Sequence, residues 1–291
     1  MYINRRSFFR TTLGAAGATL AGGLGGGVPL WGAAVRKASD IVSLGPDKVK
    51  LSRLAIGLGT LGGSVQRKLG VPGVADLLHF GYDQGLFFWD TADSYQTHPH
   101  VKEGLTRVAR EKVTIMTKTR ARTADEMKAA LDRFRLEIGT DYLDIVLLHA
   151  LTTPTWPEER QGAMEVLAEA REKGIVRTHG LSCHAIPAMQ TAAKTPWVRV
   201  ALLRINPAGM KMDSDPASVV PVMRSVKAAG KGIIGMKIIG EGGLRDRVDE
   251  CLGFALSLDC VDCFTIGPAD RTELADLITR IPIASQSPKA A

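Results

Sequence analysis

"VTIMTKTRARTADEMKAALDRFRLEIGTDYLDIVLLH", residues 113–149, holds two short apolar runs separated by one helix-length segment. The runs VTIMTK (113–118) and YLDIVLLH (142–149) are rich in aliphatic and β-branched residues, as buried strands are. Between them Thr123 and Glu126 stand at capping-box spacing. Met127, Leu131, Phe134 and Ile138 then recur on one helical face, and Gly139 stands where a C-cap belongs. Strand, helix and strand in this order predict two parallel strands joined by a right-handed crossover.

The unit repeats along the chain. Further apolar runs occur at LSRLAIGLG (51–59), LFFWD (86–90), IVRTHGLS (175–182), VRVALLRIN (198–206), GIIGMK (232–237) and CVDCFTIG (260–267). The eight runs start roughly 23–35 residues apart, so each interval has room for one helix. PEERQGAMEVLAEAREKG (157–174) and DRTELADLITRI (270–281) read as two more of the helices, the second opened by Asp270 and Glu273. Eight such units in about 250 residues predict a single-domain α/β fold, a (β/α)8 TIM barrel. The competing architecture is an open doubly wound sheet. GLGTLGG (57–63) only approximates its glycine fingerprint, and the acid expected about twenty residues on is missing.

Residues 1–34 read as a segment apart from the barrel, which is assigned to 35–291. They carry Arg5, Arg6 and Arg10, no acids, and a long glycine-rich weakly apolar stretch. Arg5, Arg6, Phe8 and Arg10 resemble a twin-arginine (Tat) export signal, and Gly32-Ala33-Ala34 offers small residues to a signal peptidase. That implies a periplasmic or otherwise exported protein that has met the Tat export machinery. A retained signal would leave it membrane-anchored. Three of the seven net positive charges sit in this segment, and the rest of the chain shows no basic run interleaved with aromatics, so nucleic acid is not an expected partner. Among the four cysteines, Cys260 and Cys263 have Cys-x-x-Cys spacing. Residues three apart in a strand face opposite ways, so they read as structural rather than as metal ligands. The sequence fixes no oligomeric state.

In a barrel of this kind the working residues stand at the C-terminal ends of the strands. There the second, third and fourth runs end in Asp90, Lys118 and His149, and Tyr95 follows five residues after Asp90. Adjacent parallel strands lie about 4.8 Å apart, so the four side chains can converge. An ammonium beside a phenol favours phenolate, an aspartate holds the ammonium, and a neutral imidazole can orient a carbonyl oxygen. Such a set suits proton donation to a developing alkoxide.

Asp90-Thr-Ala-x-x-Tyr95, Lys118 after TIMT and His149 after IVLL resemble the Asp/Tyr/Lys/His tetrad of the aldo-keto reductase superfamily. The resemblance implies an NAD(P)H-dependent oxidoreductase that reduces an aldehyde or ketone. Tyr95 would be the general acid, His149 would orient the carbonyl, and Lys118 and Asp90 would tune the tyrosine. It also implies a nicotinamide dinucleotide, NADP(H) more than NAD(H), and a small carbonyl substrate as partners, with no metal. Ser182 and Cys183 of GLSCH match the nicotinamide-binding segment, Cys183 replacing the usual Asn, and Leu202 stands where a Gln is usual. Met236, Lys237 and Gly240 of GMKIIGEGGL fall where the nicotinamide and pyrophosphate are held, and Arg271 is the base nearest the expected 2′-phosphate. His98, Trp156 and His184 are assigned to the substrate pocket. A His98-x-His100 metal site lacks a third ligand at helical spacing. The reading from another class is an exported barrel that binds a dinucleotide or small ligand without turnover.

Overall fold

The computed structural model describes residues 35–286. The segment read as an export signal, residues 1–34, lies outside them. The described chain opens with β1 (Ile41–Leu44) and β2 (Val49–Ser52), an antiparallel hairpin. There follow β3 (Leu54–Gly57), α1 (Ser64–Asp83), β4 (Phe88–Asp90), α2 (His98–Gly104), β5 (Thr114–Thr119), α3 (Ala124–Ile138) and β6 (Leu143–Leu151). Next come α4 (Trp156–Glu159), α5 (Gln161–Glu172), β7 (Val176–Cys183), α6 (Ile186–Lys194), β8 (Val200–Arg204), α7 (Pro216–Ala228), β9 (Gly232–Met236), α8 (Val248–Ser257), β10 (Cys263–Ile266) and α9 (Arg271–Ala284). Strands β3 to β10 pair in parallel in chain order, and β10 closes onto β3. The molecule is a (β/α)8 barrel, as the spacing of the apolar runs predicts.

Segment 113–149 forms the expected unit. The Thr123 hydroxyl accepts from the Glu126 amide at 3.2 Å, and the Glu126 carboxylate accepts from the amides of Arg122 and Thr123 at 2.6 and 3.2 Å. Gly139 ends α3 at φ 76°, a conformation that costs a residue with a Cβ more than it costs glycine. Met127, Leu131, Phe134 and Ile138 are buried along the inner side of α3.

The apolar core has two layers. The larger lies between strands and helices. The smaller fills the barrel itself, with Phe88, Met116, Ile145 and Ile234 among its members. Leu44 and Leu51 of the hairpin belong to this inner layer, so β1 and β2 stopper the end of the barrel where the strands begin. Contact there is tight. A Cβ on Gly232 would lie 2.7 Å from both the Gly45 nitrogen and Leu44 Cδ1, and the Thr114 hydroxyl donates to the Lys50 carbonyl at 2.6 Å.

Two runs prove shorter than the sequence suggests. LSRLAIGLG spans the end of the hairpin and the first barrel strand. The break falls at Arg53, whose amide leaves both ladders to donate to the Asp40 carbonyl at 2.9 Å. CVDCFTIG becomes strand only at Cys263. Cys260 packs in the outer layer and Cys263 in the inner one, so the two thiols do face opposite ways. All four cysteines are buried and free.

Loss of one cap bond should register in stability. Thr123→Ala is expected to destabilise the fold by about 1 kcal/mol, read as a lower denaturation midpoint with unchanged slope.

Candidate active site

The C-terminal rim brings Asp90, Tyr95, Lys118 and His149 together. Lys118, next to last on β5, is fully buried, and its Nζ donates to Asp90 Oδ1 and, at 2.8 Å, to the Thr91 carbonyl. The other Asp90 oxygen accepts from the Thr265 hydroxyl of β10 at 2.8 Å. A short 3-10 turn, Asp93–Tyr95, follows β4 and swings the Tyr95 ring over the ammonium, 4.9 Å from its centroid. The His149 ring stands edge-on to Tyr95 with centroids 5.7 Å apart. Gly59, on the loop after β3, makes room for the phenol. A Cβ there would lie 2.4 to 2.9 Å from atoms of the Tyr95 ring and hydroxyl.

Charge and burial set the protonation states. Burial works to lower the Lys118 pKa, but Asp90 and Tyr95 raise it overall, so the ammonium stays charged. For Tyr95, burial raises the pKa more than Lys118 lowers it. The phenol therefore rests fully protonated, whereas the lysine alone would have pulled it down. His149 is pushed down to about 2, by burial first and then by Lys118 and the other cations around it. It is a neutral imidazole at any ordinary pH.

A cleft of about 490 Å³ opens from Tyr95 and Asp90 and runs between the loops after β9 and β10 to α9. Its floor includes Gly57, Gly59, Leu202 and Met236, and its far end includes Glu273, Asp276 and Leu277. Its size falls in the usual range for small-ligand sites.

Of the dinucleotide residues read from the sequence, Met236 and Lys237 line the cleft, and Gly240 lies on the same loop between the lining residues Ile239 and Glu241. Ser182 lies buried at the top of β7 and accepts from the Ala150 amide at 2.8 Å. Two positions lie elsewhere than the sequence reading placed them. Cys183 is buried in the shell between strands and helices, outside the residues lining the cleft, and burial raises its thiol pKa. Arg271 turns away from the cleft, pairs with Asp76 at 3.2 Å and covers the Phe80 ring. Arg245, unremarked in the sequence, lines the cleft and makes no ion pair among the described residues.

The three residues assigned to the substrate pocket divide. His184 stays at the site, its ring 6.4 Å from that of His149. His98 does not line the mouth. It is buried against Phe134, and its two ring nitrogens engage Glu137 at 2.6 Å and Thr117 at 2.8 Å, so it ties α2 to α3 and β5. Trp156 is buried as well, with its indole N–H donating to the Ala188 carbonyl at 3.3 Å, so it packs α4 against α6, outside the residues lining the cleft. Among the described residues, no group of three or more His, Cys, Asp or Glu is placed to hold a metal ion.

Thr265, Gly59 and Arg204 were missed by sequence reasoning. Thr265 is hidden in an apolar run. Arg204 ends β8 at the same rim as Asp90, Lys118 and His149, but the sixth run extends to Asn206, so the end of the run does not single it out.

The family model described as Aldo/keto reductase family matches residues 53–253, well over half of the chain. The chain belongs to the aldo/keto reductase family. The aldo-keto reductase AKR2E4 of Bombyx mori is 23% identical over 168 residues, which cover 52% of this chain and 54% of that protein. The chain thus matches about half the length of this curated relative. Among solved structures, AKR11C1 from Bacillus halodurans in its holo form superposes with a TM-score of 0.68 at 16% identity, covering 87% of this chain and 93% of that one. Bombyx mori AKR2E4 in complex with NADP gives 0.63 at 17%, covering 85% and 92%. At these identities the likeness to solved structures is one of fold.

The buried neutral histidines carry a pH signature. His149, His184 and His179 have pKa values of about 2, 3 and 4, all below the free value. In acid the unfolded chain binds protons that the folded one does not, so stability is full above about pH 6.5 and falls as pH drops below it. Each such histidine adds up to about 1.4 kcal/mol per pH unit to the slope. Denaturation series from pH 7 to pH 5 should show this fall, and His149→Asn should flatten it by one histidine's share.

Proposed function

We propose that the protein is an NAD(P)H-dependent oxidoreductase that reduces an aldehyde or ketone carbonyl to an alcohol. The observation that carries this reading is the buried Lys118 ammonium, fixed by Asp90 and lying 4.9 Å from the centre of the Tyr95 ring, at one end of a cleft of about 490 Å³ that reaches α9. Family membership and a relative solved with NADP support it.

The residues present suit a dinucleotide. Met236 offers a polarizable thioether to a nicotinamide ring, Lys237 is a point charge for phosphate, and Gly59 keeps the floor low beside Tyr95. When bound, the reduced dinucleotide supplies a hydride to the carbonyl carbon. Neutral His149 orients the carbonyl by donating an N–H to its oxygen. Tyr95 gives its hydroxyl proton to that oxygen as negative charge develops, and Lys118 stabilises the phenolate left behind. Asp90 and Thr265 hold the ammonium in place through this change.

NADP(H) is our reading of the dinucleotide, resting on that relative and on Arg245, a cation of the cleft with no ion pair among the described residues. Glu273 and Asp276 at the far end of the cleft oppose it, so tighter binding of NADH than of NADPH would reverse the choice. We also place the protein outside the cytoplasm through the twin-arginine segment, released or membrane-anchored. Export of a reporter fused to residues 1–34 should stop when Arg5 and Arg6 become lysines.

Tyr95→Phe keeps the ring over Lys118 and removes only the proton. Reduction of benzaldehyde should fall by about 100-fold or more, with dinucleotide affinity within a few-fold of the parent. Failure of the parent protein to bind either dinucleotide would overturn the reductase reading.

A further inference from the structure

Arg204 is the last residue of β8 and pairs in register with Met236 of β9. Side chains of paired residues stand on one face of a sheet, so Arg204 shares the side of Met236, which lines the cleft. Its Nη2 donates to His184 Nδ1 at 2.5 Å, and its Nη1 meets Asp213 at 3.2 Å. Its Nε is buried with no partner among the described residues, as is Asp213 Oδ2. A guanidinium has no acceptor, so His184 Nδ1 must be the unprotonated nitrogen and Nε2 carries the hydrogen. Burial, then Arg204 and Lys237, hold the His184 pKa near about 3, so this tautomer persists. The ring stands edge-on to that of His149, with centroids 6.4 Å apart. The site thus has a fixed N–H donor next to the carbonyl-orienting histidine, with a guanidinium behind it.

The charges around this end do not cancel. Lys118 is matched by Asp90, Arg204 by Asp213 and Lys237 by Glu241. Arg120, two residues past Lys118 on the rim, has no carboxylate partner among the described residues. Burial also works against full ionisation of Asp213 by raising its pKa. A neutral carbonyl compound would use none of this, whereas a carboxylate accepts charge-assisted hydrogen bonds from such a set.

We propose that Arg204 and His184 make the site select carbonyl compounds that carry a carboxylate close to the reacting carbonyl, as in a 2-oxo acid. This rests on the reductase reading above and names its substrate class. Arg204 acts as a positioning residue, through His184 and through its charge.

The test compares phenylglyoxylate with its methyl ester, which has the same reacting ketone and no charge, in the full chain with a saturating reduced dinucleotide. The acid should be the better substrate in kcat/KM by about tenfold or more. Arg204→Met should remove that preference mainly by raising KM for the acid about 10- to 100-fold, with a smaller loss on the ester. Asp213→Asn, which keeps an oxygen for Arg204 but removes a negative charge, should widen the preference. Calorimetric binding of both compounds to the loaded protein gives a readout independent of turnover, and serves if Arg204→Met fails to fold. Equal or better binding and reduction of the ester by the parent protein, or equal loss on both compounds in Arg204→Met, would overturn the proposal. Benzaldehyde reduction without an acid preference would overturn it while leaving the reductase reading standing.

Discussion

A lysine ammonium enclosed in a closed barrel is tolerable only where its charge is met at contact, because desolvating an unpaired ion costs several kcal/mol. Lys118 meets that condition through Asp90 and the Thr91 carbonyl, and Asp90 is in turn held by Thr265. These residues come from β4, β5 and β10, the second, third and last strands of the barrel. Thr265 reaches Asp90 only because β10 closes against β3. The charge at the centre of the site and the closure of the fold are therefore one constraint.

That buried cation orders the electrostatics around it. It opposes protonation of His149 and His184 and so helps keep both as neutral hydrogen-bond donors or acceptors. Its effect on Tyr95 is subtler. Burial outweighs it in the resting phenol, which stays protonated. The ammonium becomes decisive only when the phenol loses its proton, where a charge-assisted contact replaces a neutral one. A donor that rests loaded and is stabilised once discharged suits proton transfer to an alkoxide.

The two ends of the site are built differently. The cleft that leads away from Tyr95 is floored by glycines and apolar side chains and ends among the carboxylates Glu273 and Asp276. The rim around His149 gathers His184, Arg204, Lys237 and Arg120, a concentration of positive charge with incomplete carboxylate matching. The barrel keeps these ends apart because each strand delivers its last side chain to one sector of a common rim.

Periodicity in the chain was enough to place the eight strands, three of the helices and the barrel, since apolar spacing is a local property that burial must satisfy. Strand ends then located Asp90, Lys118, His149 and, one turn on, Tyr95, because successive parallel strands deliver their ends to one rim, here with a stagger of two residues from each strand to the next. Tertiary structure alone decided the rest. The plugging hairpin was invisible, because Leu44 stands in no long apolar run and Leu51 merges with the run read as the first barrel strand. His98 and Trp156 sit close in sequence to site residues but became core, for helix packing sets their direction. Arg271 turned to Asp76, a residue 195 positions away that no local pattern could pair with it. Thr265 acquired its role only through closure of the barrel, which brings the last strand within reach of Asp90, and Gly59 only through the packing of the loops after β3 and β4, which sets it against the Tyr95 ring.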